Sequence, residues 1–195
     1  MSEDAASAYE RHALEFLAQR DSSSIGADVV RRWAQSLEAG TEVLEIGCGG
    51  GLPVTRALLD ADLHVRAIDA SPTLVAEFQA RFPATPVQCQ RIQDSDCFGR
   101  VYGAVIAIGL VFLLAEQEQR ALIRRVADSL VPGGRFLFTA PAEIHHWEDL
   151  TTGHACQSLG QGQYSALLQE CGCRLVGQYD DDGNNNYYDA QKDAG

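Results

Sequence analysis

Positive charge is scarce in this 195-residue chain, which carries 15 Lys and Arg against 27 Asp and Glu, for a formal charge of −12. A field of this sign repels phosphate backbones and anionic lipid surfaces. The few basic pairs, such as Arg31-Arg32 and Arg124-Arg125, are interpreted as solvated helix faces. The charge balance therefore disfavours a nucleic-acid partner, although a local basic patch would override it.

Long apolar runs and a secretory start are also missing. The longest apolar stretch covers residues 104–115, well short of the roughly 20 residues that a membrane-spanning helix needs. The chain opens with Met-Ser-Glu-Asp, where a signal peptide would carry basic residues. We therefore expect no membrane segment and a cytoplasmic location.

Metal-binding spacings are absent as well. Of the six cysteines only Cys171 and Cys173 lie close together, and a lone C-x-C pair is not a zinc spacing. The acids and histidines of residues 143–149 match no H-E-x-x-H pattern. We expect reduced thiols and no metal site.

The stretch over residues 43–51 begins as a buried parallel strand and ends in a glycine cluster that lacks one glycine of the dinucleotide fingerprint. A strand, a glycine turn and a helix start are how α/β proteins bind the polar part of a nucleotide-like cofactor. The dinucleotide fingerprint G-x-G-x-x-G, counted from Gly47, requires a third glycine where the chain has Leu52. The spacing of the glycines therefore does not match a turn that binds a pyrophosphate.

The turn instead reads Glu45-x-Gly47-x-Gly49-x-Gly51, with an acid two residues before the first glycine. A carboxylate at this position repels a pyrophosphate but can hold an ammonium group, directly or through water. The next predicted strand ends at Asp69, 18 residues after Gly51, close to the spacing of about 20 residues for an acid that binds a ribose diol. Such a carboxylate makes two charge-assisted hydrogen bonds.

Apolar patterns predict alternating strands and helices from residue 41 onward. Two helices are predicted before them, over residues 5–19 and 25–38. A Leu-x-Pro-Gly-Gly turn occupies residues 130–134, before a predicted fifth strand. Asp and Asn residues over 180–186 predict a tight reversal between the last two strands.

The acid-fronted glycines, Asp69 and the Leu-x-Pro-Gly-Gly turn resemble class I S-adenosylmethionine (SAM)-dependent methyltransferases over about residues 41–188. The resemblance implies an α/β fold, a three-layer α/β/α sandwich with a mostly parallel seven-stranded sheet and an antiparallel last strand. It implies one domain over residues 1–195, with residues 1–40 as an N-terminal helical lid and residues 41–190 as a Rossmann-like core. The implied cofactor is S-adenosyl-L-methionine, with S-adenosyl-L-homocysteine (SAH) as product.

The resemblance also assigns a set of residues to the cofactor. These are Tyr9, Glu45, Gly47, Cys48, Gly49, Gly51, Asp69, Ala70, Ile92, Gln93, Ile108 and Gly109. In this assignment Ile92 flanks the adenine, Gln93 or Asp94 meets its exocyclic amine, and the loop at Ile108 passes beneath the sulfonium. Tyr9 either reaches the ligand from the lid or lies in the seam of a packing helix, and both readings stay open.

Catalysis requires little of the protein, because methyl transfer from a sulfonium is an in-line displacement that needs alignment and a dry pocket. A general base is needed only if the nucleophile must lose a proton. We predict a loop over residues 140–149, in which His145 and His146 are the candidate catalytic residues. Trp147 either forms a wall of the substrate site or packs against a helix. His154, just downstream, carries less weight.

The short length and the acidic charge favour a small-molecule acceptor, and the oligomeric state stays open. Two other functions remain. One is a non-catalytic SAM-binding module, which would bind SAM without turnover. The other is a nicotinamide-dependent reductase, although the Tyr-x-x-x-Lys pair of such enzymes is absent.

Overall fold

A single seven-stranded sheet runs through the computed structural model, which describes residues 5–195. The strands of the chain are β1 (Glu42–Ile46), β2 (His64–Asp69), β3 (Val87–Cys89), β4 (Tyr102–Ala107), β5 (Leu130–Thr139), β6 (Ile144–Glu148), β7 (Ala155–Leu159), β8 (Cys173–Asp180) and β9 (Asn186–Lys192). The large sheet has the order β3-β2-β1-β4-β5-β9-β8. Its first five strands are parallel, and β9 is antiparallel to both neighbours. The predicted sheet is thus confirmed.

Helices cover both faces of this sheet. They are α1 (Ala5–Arg11), α2 (Ala13–Asp21), α3 (Ala27–Gln35), α4 (Val54–Leu59), α5 (Pro72–Arg81), α6 (Glu116–Ser129) and α7 (Gln161–Glu170). Successive residues of a strand point to opposite faces. Accordingly, Leu44 and Ile46 pack in the cluster with α6 and α7, whereas Val43 packs in the cluster with α3 and α4. The result is the expected three-layer sandwich.

The Leu-x-Pro-Gly-Gly segment forms a loop within β5. Tyr102 of β4 pairs with Leu130, but Ala104 pairs with Arg135, so residues 131–134 loop out of the ladder. Gly133 has a φ of +77° there, a conformation that glycine adopts readily. The turn predicted between the helix and the fifth strand is therefore present, although pairing already begins before it.

The N-terminal segment differs from its prediction. Instead of one helix over residues 5–19, α1 and α2 are separated at His12, whose backbone N–H donates to the carbonyl of Tyr9 at 3.2 Å. Apolar side chains of α2, among them Leu17, pack with Leu74 of α5. The amphipathic pattern therefore predicted the buried side chains correctly, but a single continuous helix was wrong.

The loop predicted over residues 140–149 is also wrong, because β6 pairs with β7 as a separate antiparallel sheet. We call this unit, residues 144–159, the hairpin. Its turn is held by Asp149, whose Oδ1 accepts from the backbone N–H groups of Thr151 (3.1 Å) and Thr152 (2.8 Å). Such side-chain turns are local, but the strand pairing that they permit spans residues 144 to 159 and is not visible as alternation in the sequence.

The residues from 5 to 195 include no helix that combines the length and the apolar character required to cross a bilayer.

Candidate active site

A cavity of about 760 Å³ lies where the parallel strands β1, β2 and β4 end. The loops after these strands supply residues 47–50, 69–71 and 108–110 to its lining. The helices α1 and α2, the strand β7 and Tyr187 of β9 also contribute, as do the segments 90–93, 112–115 and 152–154. The carboxyl edge of an open α/β sheet is the usual ligand site, and the volume is that of a small-molecule pocket.

All but one of the residues assigned to the cofactor line this cavity. Those present are Tyr9, Glu45, Gly47, Cys48, Gly49, Asp69, Ala70, Ile92, Gln93, Ile108 and Gly109. Gly51 is not among the lining residues. A Cβ at Gly51 would lie 2.4 Å from the ring of Phe82, so this glycine permits close packing rather than ligand approach.

Asp69 is held in one orientation by the backbone. Its Oδ2 accepts from the N–H of Gly49 at 2.8 Å and its Oδ1 accepts from the N–H of Ser71 at 2.9 Å. Burial raises the pKa of this carboxyl, and the backbone hydrogen bonds oppose that shift. Each carboxylate oxygen has a second acceptor site, so Asp69 can still accept two hydroxyl groups.

Glu45 is a buried carboxyl at the start of the glycine turn, with 3% of its surface exposed. It accepts a hydrogen bond from the hydroxyl of Thr55 at 2.6 Å. Burial raises the pKa of Glu45 to about 8; the bond from Thr55 opposes the shift and the charge of Asp69 adds to it. The group therefore holds a proton at neutral pH until a cation arrives.

Asp189 shows what a structural buried carboxylate looks like in the same molecule. It is fully buried and accepts hydrogen bonds from Trp33, Arg135 and Tyr179. Its charge is therefore paired, as buried charges in proteins normally are. Glu45 has no cationic partner among residues 5–195, and it faces a cavity. Glu45 is therefore a candidate for contact with a cation in the cavity, and Asp189 is not.

Backbone groups of the glycine turn complete this wall. The N–H groups of Gly47 and Cys48 donate to the carbonyl of Ile68. Gly50 also lines the cavity, and its N–H makes no hydrogen bond within the part of the chain that the structure describes. Gly109, across the cavity, has a φ of +72°, and a Cβ there would meet nothing within 4 Å.

The N-terminal helices cover the glycine turn. A Cβ at Gly49 would lie 3.1 Å from the ring of Phe16, which also contacts Tyr9 edge to face with ring centroids 5.4 Å apart. The hydroxyl of Tyr9 donates to Asp149 of the hairpin at 3.4 Å. Burial and the nearby Asp149 raise the pKa of Tyr9, so this phenol is a hydrogen-bond donor and a poor proton acceptor.

Glu10 attaches α1 to the sheet side of the cavity. Its carboxylate accepts from the hydroxyl of Ser71, and from the hydroxyl of Thr73 at 2.7 Å and the N–H of Thr73 at 3.2 Å. These groups lie at the N-terminus of α5, where a negative charge is favoured by the helix dipole. The N-terminal helices thus contact α5 through Glu10 and the hairpin through Tyr9.

The two histidines predicted as catalytic are not brought to the cavity. His145 and His146 are exposed on β6, and neither is among the lining residues. The ring of His145 stacks on Trp147 with centroids 5.5 Å apart, and Trp147 contacts Phe112 at 5.4 Å. Trp147 therefore packs against the short helical turn Val111–Leu113.

His154 of the hairpin lies at the cavity instead. Its Nε2 is 2.9 Å from the carbonyl oxygen of Leu113. Further lining residues that the sequence does not single out for the site are Phe16, Arg20, Phe112, Thr139 and Gln157. They come from segments far apart in the chain, so no local pattern marks them.

The described residues, 5–195, contain no group of three or more His, Cys, Asp or Glu side chains arranged to hold a metal ion. All six cysteines are free thiols. Burial raises the pKa of Cys48, the thiol inside the glycine turn, which keeps it in the neutral form.

Comparison with known proteins agrees with this geometry. The profile of the family described as "Methyltransferase domain" matches residues 43–134. The chain is 32% identical over 104 residues to the ubiquinone biosynthesis O-methyltransferase of Xanthomonas axonopodis pv. citri (strain 306), a match that covers 52% of this chain and 43% of that protein. The chain therefore spans less than half the length of the curated relatives that it matches.

Solved structures share the fold at low sequence identity. The magnesium protoporphyrin IX methyltransferase of Synechocystis PCC 6803, crystallised with bound SAM, superposes with a TM-score of 0.68 at 17% identity over 85% of this chain and 77% of that one. A SAM-bound amino pentose methyltransferase from Micromonospora echinaspora gives 0.69 at 16% identity, over 92% and 96%. The chain is thus similar to methyltransferase domains over residues 43–134 and shares the fold of these solved structures.

Proposed function

We propose that this protein binds SAM in the cavity and transfers its methyl group to a small-molecule acceptor by in-line displacement. The observation that carries the proposal is the pair of carboxyls, Glu45 and Asp69, on either side of a glycine turn at one cavity. Glu45 is buried and Asp69 is half-buried, and neither has a cationic partner among residues 5–195. The relatives named for O-methylation and the neighbours crystallised with SAM support the same function.

Each end of SAM has a complementary group in this arrangement. The carboxyl of Asp69 takes the ribose hydroxyls, Glu45 faces the ammonium group, and the free N–H of Gly50 suits the ligand carboxylate. Ile92 and Gln93 border the adenine, and Gly109 lies beneath the sulfonium. When bound, SAM supplies a methyl group already activated by its positive sulfur, so the protein contributes alignment and the exclusion of water.

The N-terminal helices act as a lid in this proposal. Phe16 covers Gly49, while Glu10 attaches the helices to α5 and Tyr9 attaches them to the hairpin. A cavity of about 760 Å³ has room for a cofactor and a small acceptor, and not for a folded macromolecule. The formal charge of −12 agrees with this choice, because it disfavours nucleic acid.

Calorimetric titration with SAM tests the proposal. Asp69→Ala is expected to weaken binding by about 1.5–3 kcal/mol, the order for a lost charge-assisted hydrogen bond. Asp60→Ala is the matched control, because Asp60 is an exposed acid at the end of α4, outside the cavity. Equal affinities in the wild type and in Asp69→Ala would contradict the ribose assignment.

Two further assays separate the other functions. A non-catalytic SAM-binding module binds SAM but releases no SAH with any acceptor of a panel of phenols, amines and thiols. A nicotinamide-dependent reductase binds NADH, and the register of the glycine turn argues against that outcome. SAH release with at least one acceptor supports the enzyme.

A further inference from the structure

His154 is the only histidine that lines the cavity among residues 5–195. His154 belongs to the turn of the hairpin. Its backbone N–H donates to the hydroxyl of Thr152 at 3.2 Å, and its carbonyl accepts from the N–H of Asp149 at 2.8 Å. The backbone of His154 is thus fixed by the same turn that Asp149 holds together. Its imidazole reaches from this turn toward Leu113.

The contact with Leu113 determines where the proton of the imidazole lies. The Nε2 atom is 2.9 Å from the carbonyl oxygen of Leu113, and a carbonyl oxygen can only accept. Nε2 therefore carries the hydrogen in the neutral ring, and Nδ1 keeps its lone pair. Nδ1 has no partner within the described residues, so it is available as a proton acceptor.

Leu113, the partner of the His154 ring, lies close in the chain to the loop that the proposed binding mode places beneath the sulfonium. Leu113 ends the short helical turn that follows the loop at residues 108–110, which the proposed binding mode puts beneath the sulfonium. Among the other ionisable groups of the lining, Tyr9 donates to Asp149, Tyr187 donates to Asp181, Glu118 accepts from Gln93 and from the N–H of Ala115, and burial keeps Cys48 protonated. The proposed function assigns Glu45 and Asp69 to the cofactor, and Arg20 and Arg91 are guanidinium groups that accept no proton.

We infer that His154 is the catalytic base of the methyl transfer and that the acceptor is a phenolic hydroxyl; this rests on the proposed function. The hydroxyl proton moves to Nδ1 while an oxygen lone pair forms the bond to the methyl carbon. The carbon–sulfur bond breaks, its electron pair stays on sulfur, and the imidazolium then releases the proton to water. An amine in its free-base form needs no such base during transfer.

The choice of a phenol follows from acidity and from the lining. A phenolic hydroxyl has a pKa near 10, within reach of assistance from an imidazole, whereas an aliphatic alcohol is a far weaker acid. Phe112, Leu113 and Phe16 give the cavity apolar and aromatic surface, and the carbonyl of Leu113 contacts the ring of His154; such a lining suits an aromatic ring.

The first test needs no turnover. Long-range ¹H–¹⁵N spectra of the protein with labelled histidine, in the presence of SAH, report the tautomer of each ring. The inference predicts that His154 is the Nε2–H tautomer with an unprotonated Nδ1. An Nδ1–H tautomer would overturn it.

The second test is His154→Gln with 1,2-dihydroxybenzene and 1,2-diaminobenzene as matched probe acceptors. The amide of Gln can still donate to the carbonyl of Leu113, so the hairpin keeps its contact but loses its base. We expect SAH binding to stay the same and methylation of the diol to fall by about 10²–10⁴-fold, the range for general-base catalysis, with partial rescue by added imidazole. His146→Gln, on the exposed side of the same hairpin, is the control for disturbance of β6.

The outcomes separate the two proposals. If neither SAM nor SAH binds to the wild type, the proposed function fails. If SAM binds but only the diamine is methylated, if neither probe is methylated, or if His154→Gln methylates the diol at the wild-type rate, the inference about His154 is overturned and SAM binding stands.

Discussion

The two walls of the cavity are built in different ways. The sheet wall, made of the loops after β1, β2 and β4, positions its polar groups through contacts between successive strand–loop units, such as the bond from the N–H of Gly49 to Asp69, 20 residues further on. The hairpin wall depends on partners that are remote in the chain, such as His154 with the carbonyl of Leu113. The comparison teaches that the wall proposed for the cofactor is built from successive strand–loop units, whereas the wall proposed for the acceptor needs contacts across more than 40 residues of chain.

The largest expected effect tests whether the glycines of the sheet wall serve packing or ligand approach. Gly51→Ala should lower the free energy of unfolding by about 1–3 kcal/mol more than Gly133→Ala, the usual cost of overpacking. Both glycines have positive φ, +85° and +77°, but only at Gly51 would a Cβ meet the Phe82 ring, at 2.4 Å. Urea denaturation measures the difference, and equal losses would contradict the packing role.

The next effect concerns Glu45. Its pKa of about 8 means that the free protein holds a proton there, which an incoming ammonium group must displace. Between pH 6 and 7 the affinity for SAM should therefore rise by roughly tenfold, one proton being released on binding. Calorimetry in buffers of different ionisation enthalpy measures both quantities. Glu45→Gln should bind without this pH dependence, and an unchanged slope in that variant would exclude Glu45 as the titrating group.

A smaller effect is expected at Gly109, on the same wall. A Cβ at this position meets open space within the cavity, so Gly109→Ala should weaken SAM binding by about 1 kcal/mol, the lower end of overpacking costs. Its free energy of unfolding should change no more than that of Gly133→Ala, which shares the positive φ. Binding equal to the wild type would show that the ligand does not pass close to Gly109.

The smallest effect tests the lid. Glu10→Gln removes a negative charge from the N-terminus of α5 and should destabilise the closed lid by about 0.3–1 kcal/mol. The contacts with Ser71 and Thr73 lower the pKa of Glu10, so the stabilisation is present above the unfolded pKa near 4.5 and is lost as pH falls through the lowered value. Hydrogen exchange of α1 measures the opening. Glu15→Gln, an exposed acid of α2, is the control and should exchange like the wild type.

The difference between the walls also explains what the sequence predicts and what it does not. Glu45, Gly47 and Asp69 were found because a buried strand, a glycine turn and an acid at the end of the next strand follow each other within about 30 residues. The parallel sheet and its antiparallel last strand came with the same resemblance, and the structure confirms both. The cofactor roles of these residues stay predictions until a ligand is bound.

The hairpin wall was not predictable in this way. His145 and His146 stand out in the sequence as an adjacent pair, yet β6 exposes both, whereas the single His154 reaches the cavity. This outcome depends on the pairing of His146 with Gln157 and on a carbonyl at Leu113. Such contacts are long-range, and no periodicity of the sequence records them.

The most direct measurement is the crystal structure of the protein with SAH. Both ribose hydroxyls are expected on the carboxylate of Asp69, and the amino group of the ligand is expected to face Glu45, with its carboxylate at the N–H of Gly50. SAH bound at another surface, or bound in the cavity with its ribose turned away from Asp69, would contradict the account.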